Sequence, residues 1–266
     1  MVFPIGDDNS DRTIFPYVTV ALIAINALVF VIPQGMGTND AFTMAFSTVP
    51  AEIVSGKDLV TEDRVVQLEL PDGSVRPVEV PGLEPTPISV YITLLTSMFM
   101  HGGWAHILGN MWFLWIFGDN IEEDLGRGRY IAFYLLCGLL ASLAHVFVSA
   151  WGDSAQIPSL GASGAISGVM GAYLVLHPKR RVTVLLLRMM TQVPGYVAVG
   201  IWFVFQIVAS LPMLGGMSGG GVAYAAHIGG FIAGAALAKP FVIGRPAKQT
   251  YVDRGDYHSP RRRDQW

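Results

Sequence analysis

The stretch that sets the arrangement of this chain is GASGAISGVMG, residues 161–171, which runs directly into AYLVL, residues 172–176. Its apolar character predicts a helix from Ser163 to Leu176, which at ~1.5 Å per residue covers roughly 21 Å. A membrane hydrocarbon core is about 30 Å thick. The sequence HPKRR, residues 177–181, places the far end of the helix at the water boundary. The pattern therefore predicts a short membrane helix that holds the Ser163 hydroxyl below the membrane surface.

The composition of the whole chain is typical of a membrane protein. Of its 266 residues, 52% are apolar and only 14% are charged. This balance excludes an ordinary soluble globular protein. The single cysteine, Cys137, excludes an intramolecular disulfide. The N-terminus is acidic and no cleavage pattern follows the first apolar run, so we expect that run to remain as a membrane span.

Six apolar runs predict six transmembrane helices. Between the first two runs, residues 33–89 are polar and proline-rich, and two alternating stretches there flank a Pro-Asp-Gly turn, which predicts a β-hairpin. The sequence thus predicts an all-α membrane protein: a six-helix bundle with a short fourth helix and a partly structured first extracytoplasmic loop. The runs cover residues 14–32, 105–121, 130–151, 163–176, 195–211 and 223–243. We expect a cytoplasmic N-terminus at 1–12, a membrane domain at 13–243 that includes the 33–89 insert, and a disordered cytoplasmic tail at 244–266.

The distribution of Lys and Arg predicts the orientation in the membrane. With six spans, most of these residues fall on one side, and by the positive-inside rule that side is cytoplasmic. Both termini are then cytoplasmic, while the 33–89 insert faces outward. The basic residues on this side are Arg127, Arg129, Lys179, Arg180, Arg181, Arg188, Lys239, Arg245, Lys248 and Arg261 to Arg263.

Polar groups in three of the predicted spans share one depth. Intramembrane polar and ionisable groups are costly and usually face a protein interior or a wet cavity. At ~1.5 Å per residue, Asn110, Ser163 and His227 each lie roughly 18 to 21 Å from the charged end of their helix. His106 lies one turn before Asn110 on the same face. We therefore expect these four side chains to meet inside the bundle.

Small residues predict a close approach of the fourth and sixth helices. Facing small residues allow helix backbones to pack closely in membranes. This approach brings Ser163 and His227 within hydrogen-bonding reach. The residues concerned are Ser163, Ser167 and Gly171 on the fourth helix and His227, Gly230 and Gly234 on the sixth.

These groups favour nucleophilic acyl transfer. A serine hydroxyl becomes a good nucleophile when a histidine within about 2.6 to 3.2 Å takes its proton. Ser163 begins its helix, so its N–H lies at the positive end of the helix dipole and can bind an oxyanion. Asn110 and His106 can add side-chain donors. The fourth and sixth spans contain no acidic residue, so we expect a Ser-His dyad rather than a triad.

Three motifs occur in order on the second, fourth and sixth spans: HILGN at 106–110, GASG at 161–164, and AHIGG at 226–230 with Gly234 after it. Together they resemble the HxxxN, GxSG and AHxxG motifs of the rhomboid family of intramembrane serine proteases. The resemblance covers essentially the whole membrane region. It implies that Ser163 is the nucleophile and His227 the general base, and that His101 lines a water-accessible cavity. It also implies an oxyanion hole formed by His106, Asn110 and the Ser163 amide.

The resemblance further implies an activity and a location. The expected protein is a serine endopeptidase that cleaves peptide bonds in or near transmembrane segments of membrane proteins. It would be an integral multi-pass protein of the bacterial inner membrane, in contact with the lipid bilayer, with its active site open to the outside. No metal, cofactor or nucleic acid is expected, and the oligomeric state stays open.

Two features depart from the family pattern. Many bacterial members carry a Trp-Arg pair in the first loop, and none is found near Ile92 and Thr93. An aromatic residue commonly follows the nucleophile by four positions and stacks on the catalytic histidine, whereas here the residue is Ser167. The first loop must therefore be anchored differently, and the orientation of His227 stays open.

Other functions remain as alternatives. A catalytically inactive rhomboid-like scaffold would bind membrane proteins without cutting them, but such a scaffold is expected to lack the serine or the histidine. A metalloprotease would need H-E-x-x-H, which is absent from the sequence. A transporter or haem-binding bundle could hold midplane histidines without needing GxSG. Polar and aromatic side chains on the fifth span form either a lateral gate or ordinary contacts with lipid and core: Trp202, Phe203, Phe205 and Gln206.

Overall fold

Long helices make up most of the computed structural model, which describes residues 2–69, 74–151, 153–186, 189–214 and 222–245. The helices are α1 (Tyr17–Val31), α2 (Asp40–Ala45), α3 (Pro50–Ser55), α4 (Thr93–Thr96), α5 (Trp104–Leu125), α6 (Arg127–Ser149), α7 (Ser163–Leu176), α8 (Gly195–Leu214) and α9 (Val222–Val242). The strands are β1 (Val2–Asp7), β2 (Arg64–Glu69), β3 (Val75–Val80), β4 (Arg181–Leu186) and β5 (Met189–Pro194). The helical part of the all-α prediction is therefore confirmed, whereas β1, β4 and β5 were not expected.

The long helices alternate in direction. At one end of the bundle the first turn of α1 meets Glu122 near the end of α5, and α6 begins directly after α5. The end of α7 lies there too, because His177 Nε2 is 2.6 Å from Asp124 Oδ2. The end of α9 is held to the start of α6, since the Arg129 guanidinium donates to the Phe241 carbonyl at 2.9 Å. α1 and α6 therefore run opposite to α5, α7 and α9. The membrane topology itself stays a prediction.

Two of the described helices are long and apolar enough to cross a membrane by length and composition, Arg127–Ser149 and Tyr224–Val242. The apolar helices Tyr17–Val31, Val90–Phe99, Ser163–Leu176 and Gly195–Val208 are shorter. The count of six spans therefore stays a prediction. So does the disordered tail, because residues 246–266 lie outside the described part of the chain.

A three-stranded sheet closes the end of the bundle where α7 terminates. β4 lies between β1 and β5, and both pairings are antiparallel, with Val2 opposite Leu186 and Arg181 opposite Pro194. The basic residues between His177 and Arg188 predict a loop after α7, and this prediction is wrong over β4. Val182 and Val184 are fully buried and alternate with more exposed neighbours, which is the pattern of a half-buried strand. The sheet joins the N-terminal segment to the connection between α7 and α8.

The predicted hairpin in the 33–89 insert is confirmed. β2 and β3 pair antiparallel, with Arg64 opposite Val80 and Gln67 opposite Pro77. The predicted turn at 71–73 lies outside the described residues. A backbone bridge between Thr48 and Ser159 ties the insert to the segment that leads into α7. The insert thus reaches the loop in front of Ser163.

Glu122 is a buried hydrogen-bond acceptor at the start of α1. Its carboxylate accepts from the backbone N–H groups of Val18 and Thr19 at 2.9 and 2.8 Å, and from the Thr19 hydroxyl at 2.9 Å. The first N–H groups of a helix have no partner within the helix and favour a negative charge. Glu122 therefore fixes α1 against α5, as expected for a structural rather than a catalytic acid.

Asp7, at the end of β1, reaches the ends of two long helices. Its Oδ2 accepts from Asn120 Nδ2 at 2.8 Å and from the Tyr173 hydroxyl at 3.0 Å. Burial raises the pKa of Asp7 from 3.8 to about 6, and the nearby charge of Asp119 adds to this rise. The N-terminal strand is thus held to the bundle through a carboxyl group with a pKa of about 6.

Glycines on α7 and α9 bring the two helices into backbone contact. A Cβ atom at Gly234 would overlap the Gly168 carbonyl oxygen and lie 2.5 Å from Gly168 Cα. A Cβ at Gly171 would lie 2.9 Å from the Ala235 nitrogen, and one at Gly230 would lie 3.0 Å from the Gly164 carbonyl carbon. Larger residues do not fit at these positions. The close approach that the small-residue pattern predicts is present.

Candidate active site

Ser163 opens α7 at the edge of an anchored loop. The loop is held by the Gly161 N–H, which donates to the Ser97 carbonyl at 2.8 Å. Gly161 has φ +122°, which is strained for any other residue. Ala162 caps the helix without a side-chain hydrogen bond, so Ser163 is the first helical residue and its N–H has no acceptor in the preceding turn. The local sequence therefore presents both the hydroxyl and the amide of Ser163 at a helix start.

His227 on α9 faces this hydroxyl. Its Nε2 lies 2.7 Å from Ser163 Oγ, which is hydrogen-bonding distance. The contact follows from the glycine packing, since α9 could not come so close to α7 with larger residues at Gly230 and Gly234. A serine and a histidine in this geometry can exchange a proton.

The other ring nitrogen of His227 meets a side chain whose role the sequence did not indicate. Gln206 on α8 places its Oε1 2.9 Å from His227 Nδ1. The sequence suggested Gln206 only as part of a gate, because the rotation of α8 about its axis cannot be determined from an apolar run. Its one signal was an amide in a span that otherwise contains neither amides nor charged side chains.

Ser167, at the position of the expected aromatic, does not contact the histidine ring. Its hydroxyl donates to the Ser163 carbonyl at 2.6 Å, a bond within its own helix. The rings of Trp202 and Tyr224 lie 6.3 and 6.2 Å from the His227 ring, centroid to centroid. The histidine is thus surrounded by side chains of α8 and α9 instead of being stacked from α7.

His106 and Asn110 lie one turn apart on the same face of α5, and His106 borders the loop that precedes Ser163. The Gly102 N–H donates to His106 Nδ1 at 3.3 Å, so in the neutral ring the proton sits on Nε2. That Nε2 borders Gly161, where an added Cβ would lie 2.8 Å from it. Asn110 is 8% exposed, and its Nδ2 has no hydrogen-bond partner within the described part of the chain. Both side chains therefore have N–H groups free to bind a further oxygen.

His101 is fully buried beside this face. Its ring packs edge-on against His106 at a centroid distance of 5.1 Å. Its backbone is held on both sides by Gln34, whose amide accepts from the His101 N–H at 3.0 Å and donates to the His101 carbonyl at 2.9 Å. Neither ring nitrogen has a partner among the described residues. Its place in a water-accessible cavity stays a prediction.

A small cavity lies next to the Ser163 hydroxyl. Its volume is about 30 Å³, enough for a water molecule or a methyl group. Residues of α6, α7, α9 and the preceding loop line it, among them Gly138, Ala141, Leu160 and His227. Among the described residues, no group of three His, Cys, Asp or Glu side chains is placed to hold a metal ion.

Comparison with known proteins identifies relatives of the region that contains these side chains. A family model described as Rhomboid domain matches residues 89–243, more than half of the chain. Rhomboid protein 1, mitochondrial, of Saccharomyces cerevisiae is 32% identical over 145 residues, which cover 54% of this chain and 40% of that protein. Rhomboid protease GluP of Bacillus subtilis is 33% identical over 149 residues, 55% of this chain and 26% of that protein.

A human relative, Presenilin-associated rhomboid-like protein, mitochondrial, is 34% identical over 102 residues, 38% of this chain and 27% of that protein. The chain thus spans less than half the length of each of these relatives. The matched region includes the whole set of side chains around Ser163.

Proposed function

Because the chain belongs to the rhomboid family and is therefore an integral membrane protein, we propose that it is an intramembrane serine endopeptidase with Ser163 and His227 as its catalytic dyad. The observation that carries the proposal is the 2.7 Å hydrogen bond between Ser163 Oγ and His227 Nε2. Support also comes from the Bacillus subtilis relative, which is named a protease. The proposed substrates are membrane proteins, cut in or near a transmembrane segment.

The proposed reaction begins when Ser163 Oγ attacks the carbonyl carbon of the scissile peptide and its proton passes to His227 Nε2. The carbonyl oxygen becomes an oxyanion, which accepts hydrogen bonds from the Ser163 N–H, His106 Nε2–H and Asn110 Nδ2. The intermediate collapses as the C–N bond breaks, and the departing amine takes the proton from His227. An acyl ester on Ser163 and a free amine result.

Water completes the cycle. A water molecule attacks the ester carbonyl while His227 Nε2 accepts its proton, and the same proton returns to Ser163 Oγ when the ester bond breaks. The second product leaves as a carboxylate. The cavity beside Ser163 offers room for such a water at about 30 Å³. A helical substrate must first unwind locally, because a helix hides its carbonyl groups in hydrogen bonds.

The proposed topology has six spans, with α7 as the short fourth span and the site open to the outside. Residues 13–243 would form the membrane domain, with the 33–89 insert outside and residues 1–12 and 244–266 cytoplasmic. We propose a bacterial inner membrane, as the family resemblance suggests, although relatives also include mitochondrial proteins. The positive-inside pattern supports the cytoplasmic side. Support comes from the ends of α5, α7 and α9, which lie together with β1 at one end of the bundle.

The decisive experiment places the protein in liposomes with a transmembrane reporter. Ser163→Ala and His227→Ala are expected to abolish cleavage, whereas Ser167→Ala, one turn further on α7, is expected to cleave like the wild type. Cleavage that persists without Ser163 or without His227 would refute the dyad. Stable binding of the reporter by the wild type, without cleavage and without labelling of Ser163 by an isocoumarin, would instead indicate a binding scaffold.

A further inference from the structure

Gln206 meets His227 on the side of the ring away from Ser163. Its Oε1 lies 2.9 Å from His227 Nδ1. The side chain is 6% exposed, and α8 around it contains neither a charged residue nor another amide. A buried amide is costly unless it is hydrogen-bonded. The hydrogen bond to His227 Nδ1 therefore compensates for the burial of this amide and points to a role at the histidine.

We propose that Gln206 is a positioning residue for His227, an inference that rests on the proposed function of the dyad. Its amide oxygen accepts the Nδ1 proton and so keeps Nε2 unprotonated and directed at Ser163. A neutral imidazole carries one donor and one acceptor nitrogen, so fixing the proton on one side determines the other. Serine can lose its proton only to the acceptor nitrogen.

The orientation of the Gln206 amide follows from the same requirement. Ser163 donates its hydroxyl proton to Nε2, so Nδ1 must carry the ring proton. If the amide NH2 group faced Nδ1–H, two donors would meet and no hydrogen bond could form. The amide oxygen instead accepts the Nδ1 proton. When His227 takes the serine proton, both ring nitrogens become donors, and the bond to Gln206 strengthens because one partner is now charged.

No other described side chain accepts a hydrogen bond from His227 Nδ1. Trp202 and Tyr224 approach the ring at 6.3 and 6.2 Å between centroids, without a hydrogen bond to Nδ1. The titratable groups near His227 are Tyr224 on its own helix and His106 on α5. Ser167 leaves the ring face unstacked from α7. In-plane support from α8 thus replaces the missing ring contact.

The test uses the full-length protein in liposomes and three variants. Gln206→Met keeps the length of the side chain and removes the acceptor, Gln206→Glu replaces the amide with a charged acceptor, and Val204→Met is the matched control on the exposed side of α8. For each variant, kcat, KM and thermal stability are measured, and kcat is followed from pH 5 to pH 9. Only cleavage that Ser163→Ala abolishes is counted.

Gln206→Met is expected to lower kcat by about 10²-fold with KM unchanged, less than the ~10⁴-fold loss seen when a catalytic histidine is held in the wrong tautomer. Gln206→Glu is expected to stay active, with the acid limb of the kcat profile about one pH unit higher, because a carboxylate stabilises the protonated ring. Val204→Met should match the wild type in all respects.

Wild-type kcat and pH profile in a folded Gln206→Met protein would overturn the positioning role and leave the dyad intact. If that variant fails to fold, an unshifted acid limb in Gln206→Glu overturns it instead. Cleavage that survives Ser163→Ala overturns the proposed function itself, and this inference with it. The two failures are therefore distinguishable.

Discussion

Replacing Gly234 with alanine adds a single methyl group at the closest point between α7 and α9. The new Cβ would overlap the Gly168 carbonyl oxygen and lie 2.5 Å from Gly168 Cα. Carbon atoms in contact normally stand about 3.5–4.0 Å apart. Because the obstacle is backbone, no side chain can rotate away. The two helices must therefore separate by at least ~1 Å at this level.

This separation is large enough to break the hydrogen bond between Ser163 and His227. Ser163 Oγ and His227 Nε2 are 2.7 Å apart, and a further ångström would exceed hydrogen-bonding distance. Misplacement of reacting groups by 1 Å can lower a rate by ~10²-fold. Overpacking also costs about 1–3 kcal/mol of stability. We expect Gly234→Ala to lose roughly 10²-fold in kcat and to unfold several degrees below the wild type.

Gly200→Ala on α8 is the matched control, because a Cβ there would meet no atom within 4 Å. In both helices alanine is favoured over glycine by about 1 kcal/mol, so propensity alone would stabilise both variants. The assay is reporter cleavage in liposomes together with thermal unfolding. Wild-type activity and raised stability in both variants would refute the packing argument.

Three further predictions concern the oxyanion hole, substrate size and pH. Asn110→Ala is expected to reduce kcat by about 10²–10³-fold with little change in KM or thermal stability, since its buried Nδ2 has no partner to lose. The cavity of about 30 Å³ beside Ser163 predicts that a reporter with alanine before the cut is cleaved at least ~10-fold faster than one with phenylalanine. Asp7→Asn is expected to raise the unfolding temperature at pH 7.5, with a smaller gain at pH 4.5.

The sign of the last effect follows from proton binding. The folded protein holds the Asp7 proton with a pKa of about 6, against 3.8 for the ordinary group. Between these pH values the folded state binds more protons than the unfolded state. The contribution of Asp7 to the free energy of unfolding therefore falls as pH rises from about 4 to about 6 and is constant above. At ~1.36 kcal/mol per unit the loss is at most roughly 3 kcal/mol. An equal gain at both pH values would contradict this account.

Controls for the other two predictions come from the same chain. Asn120→Ala also removes a buried amide from α5, but at the opposite end of the helix, so it should lower stability through Asp7 and spare kcat. A loss of rate as large as that of Asn110→Ala would argue against an oxyanion role. Equal cleavage of the alanine and phenylalanine reporters would show that the cavity does not receive the substrate side chain.

Helix positions were predictable wherever apolar runs end in charge. α7 spans Ser163–Leu176, as expected, because glycine precedes it and HPKRR follows. α5 continues past its predicted end at residue 121 to Leu125. The acidic residues there suggested solvent, but each finds a partner from elsewhere: Glu122 caps α1, Glu123 accepts from Thr13, and Asp124 meets His177.

The polar groups of the candidate site were predictable from spacing and depth, and their orientation was not. Serine, histidine and glycine positions on two helices were enough to predict that Ser163 meets His227. The partner of His227 Nδ1 depends on how α8 is rotated, and an evenly apolar helix carries no periodicity to reveal this. The strand β1 escaped prediction because its partner β4 lies far away in the sequence, and local patterns do not reveal such a pairing.

The pairing of β1 with β4 also has a consequence for biosynthesis. β1 leaves the ribosome before its partner β4, which is made only after α1, α5, α6 and α7. Until then its backbone groups stay unpaired, and an unpaired strand is prone to bind other chains. β1 therefore stays unpaired while residues 8–180 are made, and the speed of translation through them sets how long its edge is exposed.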